Sequence, residues 1–131
     1  MKSSFTRARV VIFNQENEVL FSFKKGIVAY KVDLPGGDFE FNYQLFKNIQ
    51  SKIKNEINLD IQIKKFTRVW QNIENRNQSG ISIVAVANKK NKLFTNNGQY
   101  RWINPNDKIF MGYPDWLVEE VFLAESVVAE T

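Results

Sequence analysis

Three polar side chains, Lys52, Asn55 and Glu56, lie three and four residues apart in a segment whose apolar residues follow a helical period. Residues at this spacing share one face of a helix, so the three side chains would lie together. A lysine and a glutamate four residues apart can form an ion pair worth roughly 0.2–0.5 kcal/mol. This face therefore presents a cation, an amide and a carboxylate, and the expected local outcome is an ion pair between Lys52 and Glu56.

The segment just before this helix runs Leu-Pro-Gly-Gly-Asp-Phe-Glu and predicts a turn. Gly36 and Gly37 can adopt positive φ or let a backbone approach another group closely. From residue 38 to residue 59 the chain carries three acidic and three basic side chains, namely Asp38, Glu40, Glu56, Lys47, Lys52 and Lys54. The turn and its helix therefore have no net charge, although Mg²⁺ prefers carboxylate and other oxygen ligands.

Aromatic and basic residues elsewhere are candidates for ligand contacts. Trp70, Tyr100 and Trp102 could stack on a nucleobase, or they could belong to the core or its rim. The net charge of +4 and the isoelectric point near 9.3 favour anionic partners. Lysine pairs such as Lys24-Lys25 could contact phosphates or could lie on solvated edges. Because the lysines are dispersed and no known nucleic-acid motif is present, nucleic acid is not the expected partner.

Composition excludes several classes of site. The chain has no histidine and no cysteine, which rules out Ser-His-Asp triads, imidazole bases, thiolate or histidine zinc sites and disulfides. No apolar run approaches the roughly 20 residues that span a bilayer, and residues 1–9 do not resemble a signal peptide. We therefore expect a cytoplasmic protein with no membrane contact.

Periodicity predicts both the elements and the fold class. Two helices are expected, an amphipathic one over Asn42–Ile57 with Asn42 as N-cap and a second from Pro114 to about Val127 with proline in its first turn. Loops or turns are expected at 24–32, 75–80, 88–92 and 104–107. Strands are expected at Ala8–Phe13, Val19–Phe23, Ile61–Trp70, Ile81–Ala87 and Tyr100–Ile103. This order predicts one α+β domain over 1–131, a helix–sheet–helix sandwich with a mixed sheet.

Strand, hairpin, loop, Leu-Pro-Gly-Gly, helix and strand, in that order, resemble the Nudix superfamily over most of the chain. The family box reads G-x5-E-x7-R-E-U-x-E-E-x-G-U, where U is a bulky aliphatic residue, and it aligns without a gap when Gly37 is its first glycine. Ile53, Glu56 and Leu59 match the box, and Glu40 matches a glutamate of its longer G-G-x-x-E form. The other box positions carry Tyr43, Ser51, Lys52, Asn55 and Asn58. Downstream, Gln99–Ile103 is similar to a family segment written E-x-R-W-V.

The resemblance implies an α/β/α sandwich and a Mg²⁺-dependent pyrophosphohydrolase of the MutT type. In that family the box helix holds metal ions against a diphosphate through its glutamates. Here Lys52 and Asn55 replace two of them, and an ammonium at the metal position repels a dication. The same lysine could hold a diphosphate without any ion. Lys24, Lys25 and Arg9 lie in or near regions that meet substrate phosphates in relatives.

Three hypotheses follow. The first is a Nudix-fold protein with weak or no metal-dependent hydrolysis that binds a nucleotide-like ligand or a protein partner. The second is an active hydrolase of a nucleoside diphosphate compound, in which Glu56 and Glu40, with Asp38, form an atypical site and Glu56 ligates Mg²⁺ together with a carbonyl of Gly37. The third is a basic nucleic-acid-binding domain. The sequence is compatible with a homodimer.

Overall fold

The computed structural model describes residues 5–25, 30–71, 79–88, 99–107 and 112–129. Within these residues seven strands form one mixed sheet, and two helices accompany it. The strands are β1 Phe5–Phe13, β2 Val19–Lys25, β3 Tyr30–Asp33, β4 Gly36–Glu40, β5 Ile61–Gln71, β6 Ser79–Ala87 and β7 Tyr100–Ile103. The helices are α1 Leu45–Ile57 and α2 Asp115–Ala129.

Strands β1 and β6 form the centre of the sheet, and they are the parallel pair among the described strands. Arg7 pairs with Gly80 at one end and Phe13 with Val86 at the other. Residues 10–13 of β1 and 83–87 of β6 are continuously apolar, as expected where helices cover both faces of a sheet. The prediction of a central strand over Ile81–Ala87 is confirmed.

Strands β1 and β2 diverge from their hairpin and leave an opening in the sheet. They pair at Phe13 and Val19. The chain then crosses the opening, pairing first with β2 as β3 and next with β1 as β4. The predicted loop at 24–32 is therefore wrong in part, since 30–32 lie in β3 and the backbone of 24–25 lies in β2. Residues 26–29 lie outside the described residues.

Helix α1 covers one face of the sheet with a stripe at four-residue spacing. Leu45, Ile49, Ile53 and Ile57 are buried against Val10, Ile12 and Ile83, among others. The helix begins later than predicted, and its N-cap is Gln44. Asn42 instead accepts a hydrogen bond from the Gln44 N–H through Oδ1, at 2.8 Å, because a short polar side chain favours a local turn. Asn58 ends the helix in the left-handed conformation.

Helix α2 covers the opposite face of the sheet. Leu117, Val121 and Ala124 are buried against Val11, Phe21 and Val84, among others. The expected α/β/α sandwich with a mixed sheet is thus confirmed. No helix in the described part of the chain is long and apolar enough to cross a membrane.

Strand β5 lies at the edge of the sheet and pairs with β6 over its length. The ladder is interrupted twice, between Ile63 and Lys65 and again between Phe66 and Arg68. The long strand predicted at Ile61–Trp70 is confirmed, while the turn predicted at 75–80 is wrong at Ser79 and Gly80, which begin β6. Residues 75–78 and 89–92 of the predicted turns lie outside the described residues.

Candidate functional site

A cleft of about 490 Å³ lies where β1 and β2 diverge. Its walls come from both strands, from the segment that crosses between them, from one edge of α1 and from the start of β7. The described residues that line it are Arg7, Ala8, Arg9, Ser22, Asp33, Leu34, Pro35, Gly36, Gly37, Asp38, Lys52, Glu56, Gln99 and Tyr100. The cleft is therefore a product of the split in the sheet.

Two glycines let the crossing segment lie directly on β1. Gly36 has φ +145°, and a side chain there would overlap the backbone carbonyl of Ala8. The N–H of Val10 donates a hydrogen bond to the carbonyl of Pro35 at 2.9 Å, which closes the crossing point. The predicted turn at Gly36-Gly37 is accordingly the start of a strand, because glycine tolerates this positive φ and this close approach.

Lys52 reaches from α1 across the start of β4. Its ammonium nitrogen lies against Gly37, in the space that a side chain at that position would fill. The nitrogen is 3.8 Å from Oε1 of Glu56 and 5.3 Å from the centre of the Phe39 ring. The ion pair expected from the four-residue spacing is therefore present, and its positive end lies beside the glycine strand.

Charges of both signs line the cleft in equal number. Arg7 lies 3.6 Å from Asp38 across the β1–β4 pair, with both side chains partly exposed. Asp33 accepts a hydrogen bond from the N–H of Leu34 at 2.7 Å. Arg9 and Lys52 add two cations and Glu56 a third anion, so the described lining residues carry no net charge.

The oxygen ligands that line the cleft do not suit a divalent cation. Among the described residues no group of three acidic side chains converges on one point. Glu56 is the carboxylate nearest Gly37 on α1, and it already faces the ammonium of Lys52. A dication between Glu56 and the Gly37 carbonyl would meet that ammonium at close range, where like charges repel.

Tyr100 faces this group from the start of β7. Burial raises the pKa of its phenol above the ordinary value, and the negative charge of Glu56 raises the pKa further. At neutral pH the hydroxyl therefore remains protonated. A protonated phenol can donate a hydrogen bond to an anion in the cleft.

The side chain of Arg9 extends from the cleft toward α2, where it packs against two indole rings. Its guanidinium carbon lies 3.7 Å from the centre of the Trp70 ring and 4.1 Å from that of Trp116. Burial lowers the pKa of Arg9, and the nearby carboxylates of Glu120 and Asp33 oppose the shift. Trp70 is fixed from another side because its ring occupies the space above Gly80.

An ion pair with a buried carboxylate and a partly exposed guanidinium joins α2 to β5. Glu120 has no exposed surface, and Oε1 of its carboxylate contacts Nε of Arg68. Its neighbour Glu119 is 3.9 Å from the same guanidinium, with 67% of its side chain exposed. The sequence analysis missed Arg68 and Glu120. The sequence does contain a signal for Glu120, because this residue falls between Leu117 and Ala124 on the buried stripe of α2.

The structure brings together only some of the predicted site residues. Gly37, Lys52, Glu56 and Tyr100 all line the cleft. Glu40 is exposed at the end of β4 and is not among the described cleft residues. Trp102 packs against the core under α1, while Trp70 contacts Arg9 on the other face of the sheet. Lys24 and Lys25 have their backbone in β2, and their side chains lie outside the description.

Comparisons with known proteins identify the fold. No protein-family profile matches the chain, and no sequence among the curated proteins matches it. The solved structures that are similar include an Ap4A hydrolase from C. elegans in a binary complex, with TM-score 0.70, 14% identity, and coverage of 96% of this chain and 100% of that one. An ADP-ribose pyrophosphatase from Streptococcus suis 89-1591 has TM-score 0.67, 18% identity, and coverage of 95% and 91%.

A third similar structure is a Nudix hydrolase from Nitrosomonas europaea, with TM-score 0.62, 16% identity, and coverage of 93% of this chain and 89% of that one. At these identities the likeness concerns the fold. In all three comparisons it covers 93% or more of this chain. The chain therefore has the Nudix fold.

Proposed function

We propose that this protein binds a nucleotide or a related diphosphate compound in the cleft, and that it has little or no metal-dependent hydrolase activity. The observation that carries the proposal is the position of Lys52, which lies over Gly37 and pairs with Glu56. A cation thus stands at a helix position where the family resemblance implies a metal-binding glutamate.

Two partly exposed cations in the cleft, Lys52 and Arg7, support binding without a metal. Lysine is a common phosphate ligand because its ammonium acts as a compact positive charge. Lys52 is partly exposed toward the cleft, and its 3.8 Å contact with Glu56 is long for a charge-assisted hydrogen bond. A phosphate can therefore approach the ammonium without breaking a tight ion pair. Arg7, 3.6 Å from Asp38, offers a second cation in the same situation.

The names of two similar structures suggest the compounds to test first. One is an ADP-ribose pyrophosphatase and the other an Ap4A hydrolase. Both names denote compounds in which phosphate groups link nucleosides or sugars. We therefore propose this chemical class as the ligand.

The test measures binding and turnover in the same samples. Purified protein is titrated by calorimetry with ADP-ribose, Ap4A and ADP, in EDTA and in excess Mg²⁺ or Mn²⁺, and each sample is analysed for released mononucleotide. We expect binding in EDTA, no gain of more than about twofold with metal, and no turnover. Lys52→Ala should weaken binding by about tenfold or more, since a charge-assisted contact is lost.

Lys47→Ala is the matched control, because Lys47 is exposed on the same helix and does not line the cleft. It should leave the affinity unchanged. Metal-dependent release of mononucleotide at ordinary enzyme rates, on the order of 1 s⁻¹ or faster, would reject the proposal in favour of an active hydrolase. An equal loss of affinity in the Lys47 and Lys52 variants would also reject the cleft as the binding site.

A further inference from the structure

The three carboxylates among the described lining residues already have partners. Glu56 lies 3.8 Å from the ammonium of Lys52, and Asp38 lies 3.6 Å from Arg7. Asp33 accepts a hydrogen bond from a backbone N–H at 2.7 Å. Magnesium takes oxygen ligands in near-octahedral geometry, usually one or two carboxylates together with phosphate oxygens and water. Each of these carboxylates would therefore have to lose a favourable contact before it could bind the ion.

Strand β4 also keeps two of these carboxylates apart. Asp38 pairs with Arg7 across the β1–β4 ladder. Its neighbour Gly37 is covered by Lys52 of α1 instead. Successive residues of a strand face opposite sides of the sheet, so Asp38 points away from the α1 side. Asp38 and Glu56 therefore do not converge on one ion, and no group of three acidic side chains in the described part of the chain does so.

A phosphate bound by Lys52 would bring its own metal ion close to the ammonium. Charge-assisted N–H···O contacts are about 2.8 Å long and Mg²⁺–oxygen bonds about 2.1 Å, so an ammonium and a dication that share one phosphate oxygen are at most about 5 Å apart. Like charges repel at that distance. Proteins that hold a lysine and Mg²⁺ on the same phosphates give the ion oxygen ligands of its own. On the α1 side of this cleft the carboxylate nearest the lysine is Glu56, which faces that ammonium.

We infer that the cleft binds a diphosphate compound as its metal-free anion and excludes the Mg²⁺ complex of the same compound, with Lys52 as the residue that distinguishes the two forms. This inference rests on the proposed function, and it adds that the metal opposes binding. Because Mg²⁺ removes the free anion from solution, it acts on this protein as an inhibitor of ligand binding.

The first test titrates the wild-type protein with ADP by calorimetry, in EDTA and in Mg²⁺, with NaCl holding the ionic strength constant. At a Mg²⁺ concentration that leaves about one tenth of the ADP unchelated, the apparent Kd should rise about tenfold, because only the free fraction binds. An apparent Kd that is unchanged or lower in Mg²⁺ would overturn the inference and leave the proposed function intact. If ADP, ADP-ribose and Ap4A all fail to bind in EDTA, the proposed function fails and the inference falls with it.

The second test removes the ammonium. Lys52→Gln frees Glu56 from its partner and leaves an oxygen ligand beside the phosphates, so the Mg²⁺ complex should be admitted. This variant binds ADP more weakly in EDTA, but the same Mg²⁺ concentration should change its apparent Kd by less than about threefold, since the repulsion is gone. Lys47→Gln, at an exposed position of the same helix outside the described cleft lining, should keep the effect seen in wild type. A rise of about tenfold that persists in Lys52→Gln protein would contradict the role given to Lys52.

A third variant keeps the test decisive if Lys52→Gln binds ADP too weakly to be measured. Glu56→Gln removes the carboxylate and leaves the ammonium, so ADP should bind about threefold or more tightly in EDTA, and Mg²⁺ should still weaken it about tenfold. Glu40→Gln is its control, because Glu40 is exposed at the end of β4 and is not among the described cleft residues. Loss of the Mg²⁺ effect in Glu56→Gln protein would show that the metal acts through that carboxylate, and it would overturn the inference.

Discussion

Lys52 lies directly over Gly37, with its ammonium nitrogen in the space that a methyl group on that glycine would need. The two residues come from different elements, α1 and β4, and they meet at the edge of the cleft. The absence of a side chain at Gly37 is what allows the lysine to reach this position. A small residue and a long cation therefore form one structural unit.

Restoring carboxylates to this face of α1 should create metal affinity. Lys52→Glu with Asn55→Glu places two more acidic groups beside Glu56 and removes the cation that opposes a metal ion. We expect Mn²⁺ affinity to rise by about tenfold or more, because hard divalent ions prefer clustered carboxylates. The measurement is calorimetric titration with MnCl₂.

The control for this change is Lys47→Glu with Asn48→Glu, which alters the charge of α1 by the same amount at exposed positions outside the cleft. It should leave Mn²⁺ binding weak. If both double variants gain affinity equally, general charge and not the geometry of the cleft explains the result.

Neutralising Glu120 should cost far more stability than neutralising its neighbour. Glu120→Gln replaces the charged contact with Arg68, whose side chain is 35% exposed, by a neutral one, and we expect a loss of about 1.5–3 kcal/mol in the free energy of unfolding. Glu119→Gln, at an exposed position and 3.9 Å from the same group, should change stability by less than about 0.5 kcal/mol. Urea denaturation of both variants measures the difference, and equal losses would show that the pair is not buried in solution.

A methyl group at Gly80 should displace the ring of Trp70. The side chain of Gly80→Ala would overlap that ring, so we expect a loss of about 1–3 kcal/mol. Gly112→Ala is the control, since no described residue beyond its chain neighbours places an atom within 4 Å of the added carbon there. Thermal denaturation compares the two, and the Trp70→Phe background should reduce the cost at Gly80. A Gly80→Ala protein as stable as the control would contradict the contact between the Trp70 ring and Gly80.

Alkaline pH should weaken the folded state through Tyr100. Its pKa is raised above the ordinary 10.0 by burial first and by Glu56 second, so the folded state holds the phenol proton more tightly than the unfolded state does. The resulting stabilisation is complete below about pH 10 and is lost as pH rises through the folded pKa. Tyr100→Phe should therefore lose less stability than wild type as the pH rises above about 10.

The pKa of Tyr100 can also be measured directly. Glu56→Gln should lower the pKa of Tyr100 part of the way toward its ordinary value, because burial remains when the charge is removed. NMR of tyrosine labelled at the ring carbons follows the titration, with Glu40→Gln as the control carboxylate. An unchanged Tyr100 pKa in Glu56→Gln protein would contradict the electrostatic effect of Glu56 on this phenol.

The periodic parts of the fold could be predicted because burial on one face leaves a regular pattern. The stripe of Leu45, Ile49, Ile53 and Ile57 predicts α1 and its orientation, and the pairing of Lys52 with Glu56 follows from helical spacing alone. Strand β3 could not be predicted in this way. It is four residues long, and it exists because β2 offers it a free edge after diverging from β1.

The contacts between distant strands also could not be predicted from the sequence. Trp70 is a candidate base-stacking residue when its sequence is considered alone, and nothing local indicates that Arg9, sixty-one positions earlier, lies against its ring. The two bulges in β5 each add one residue, so their shifts cancel, and alternation counted from Ile61 does place Trp70 on the opposite face of the sheet. The contact with Arg9 on that face is what the local sequence does not indicate. The contact between Arg9 and Trp70 depends on the pairing of strands that are distant in sequence.

The interrupted ladder of β5 also affects how copies of the protein can meet. An outer strand that runs straight offers its unpaired backbone groups to another sheet, whereas bulges and exposed lysines such as Lys64 and Lys65 disturb that alignment. Neighbouring molecules in a crowded solution should therefore resist joining into a continuous cross-strand array along this side. The interruptions of the β5 ladder are thus a safeguard against aggregation.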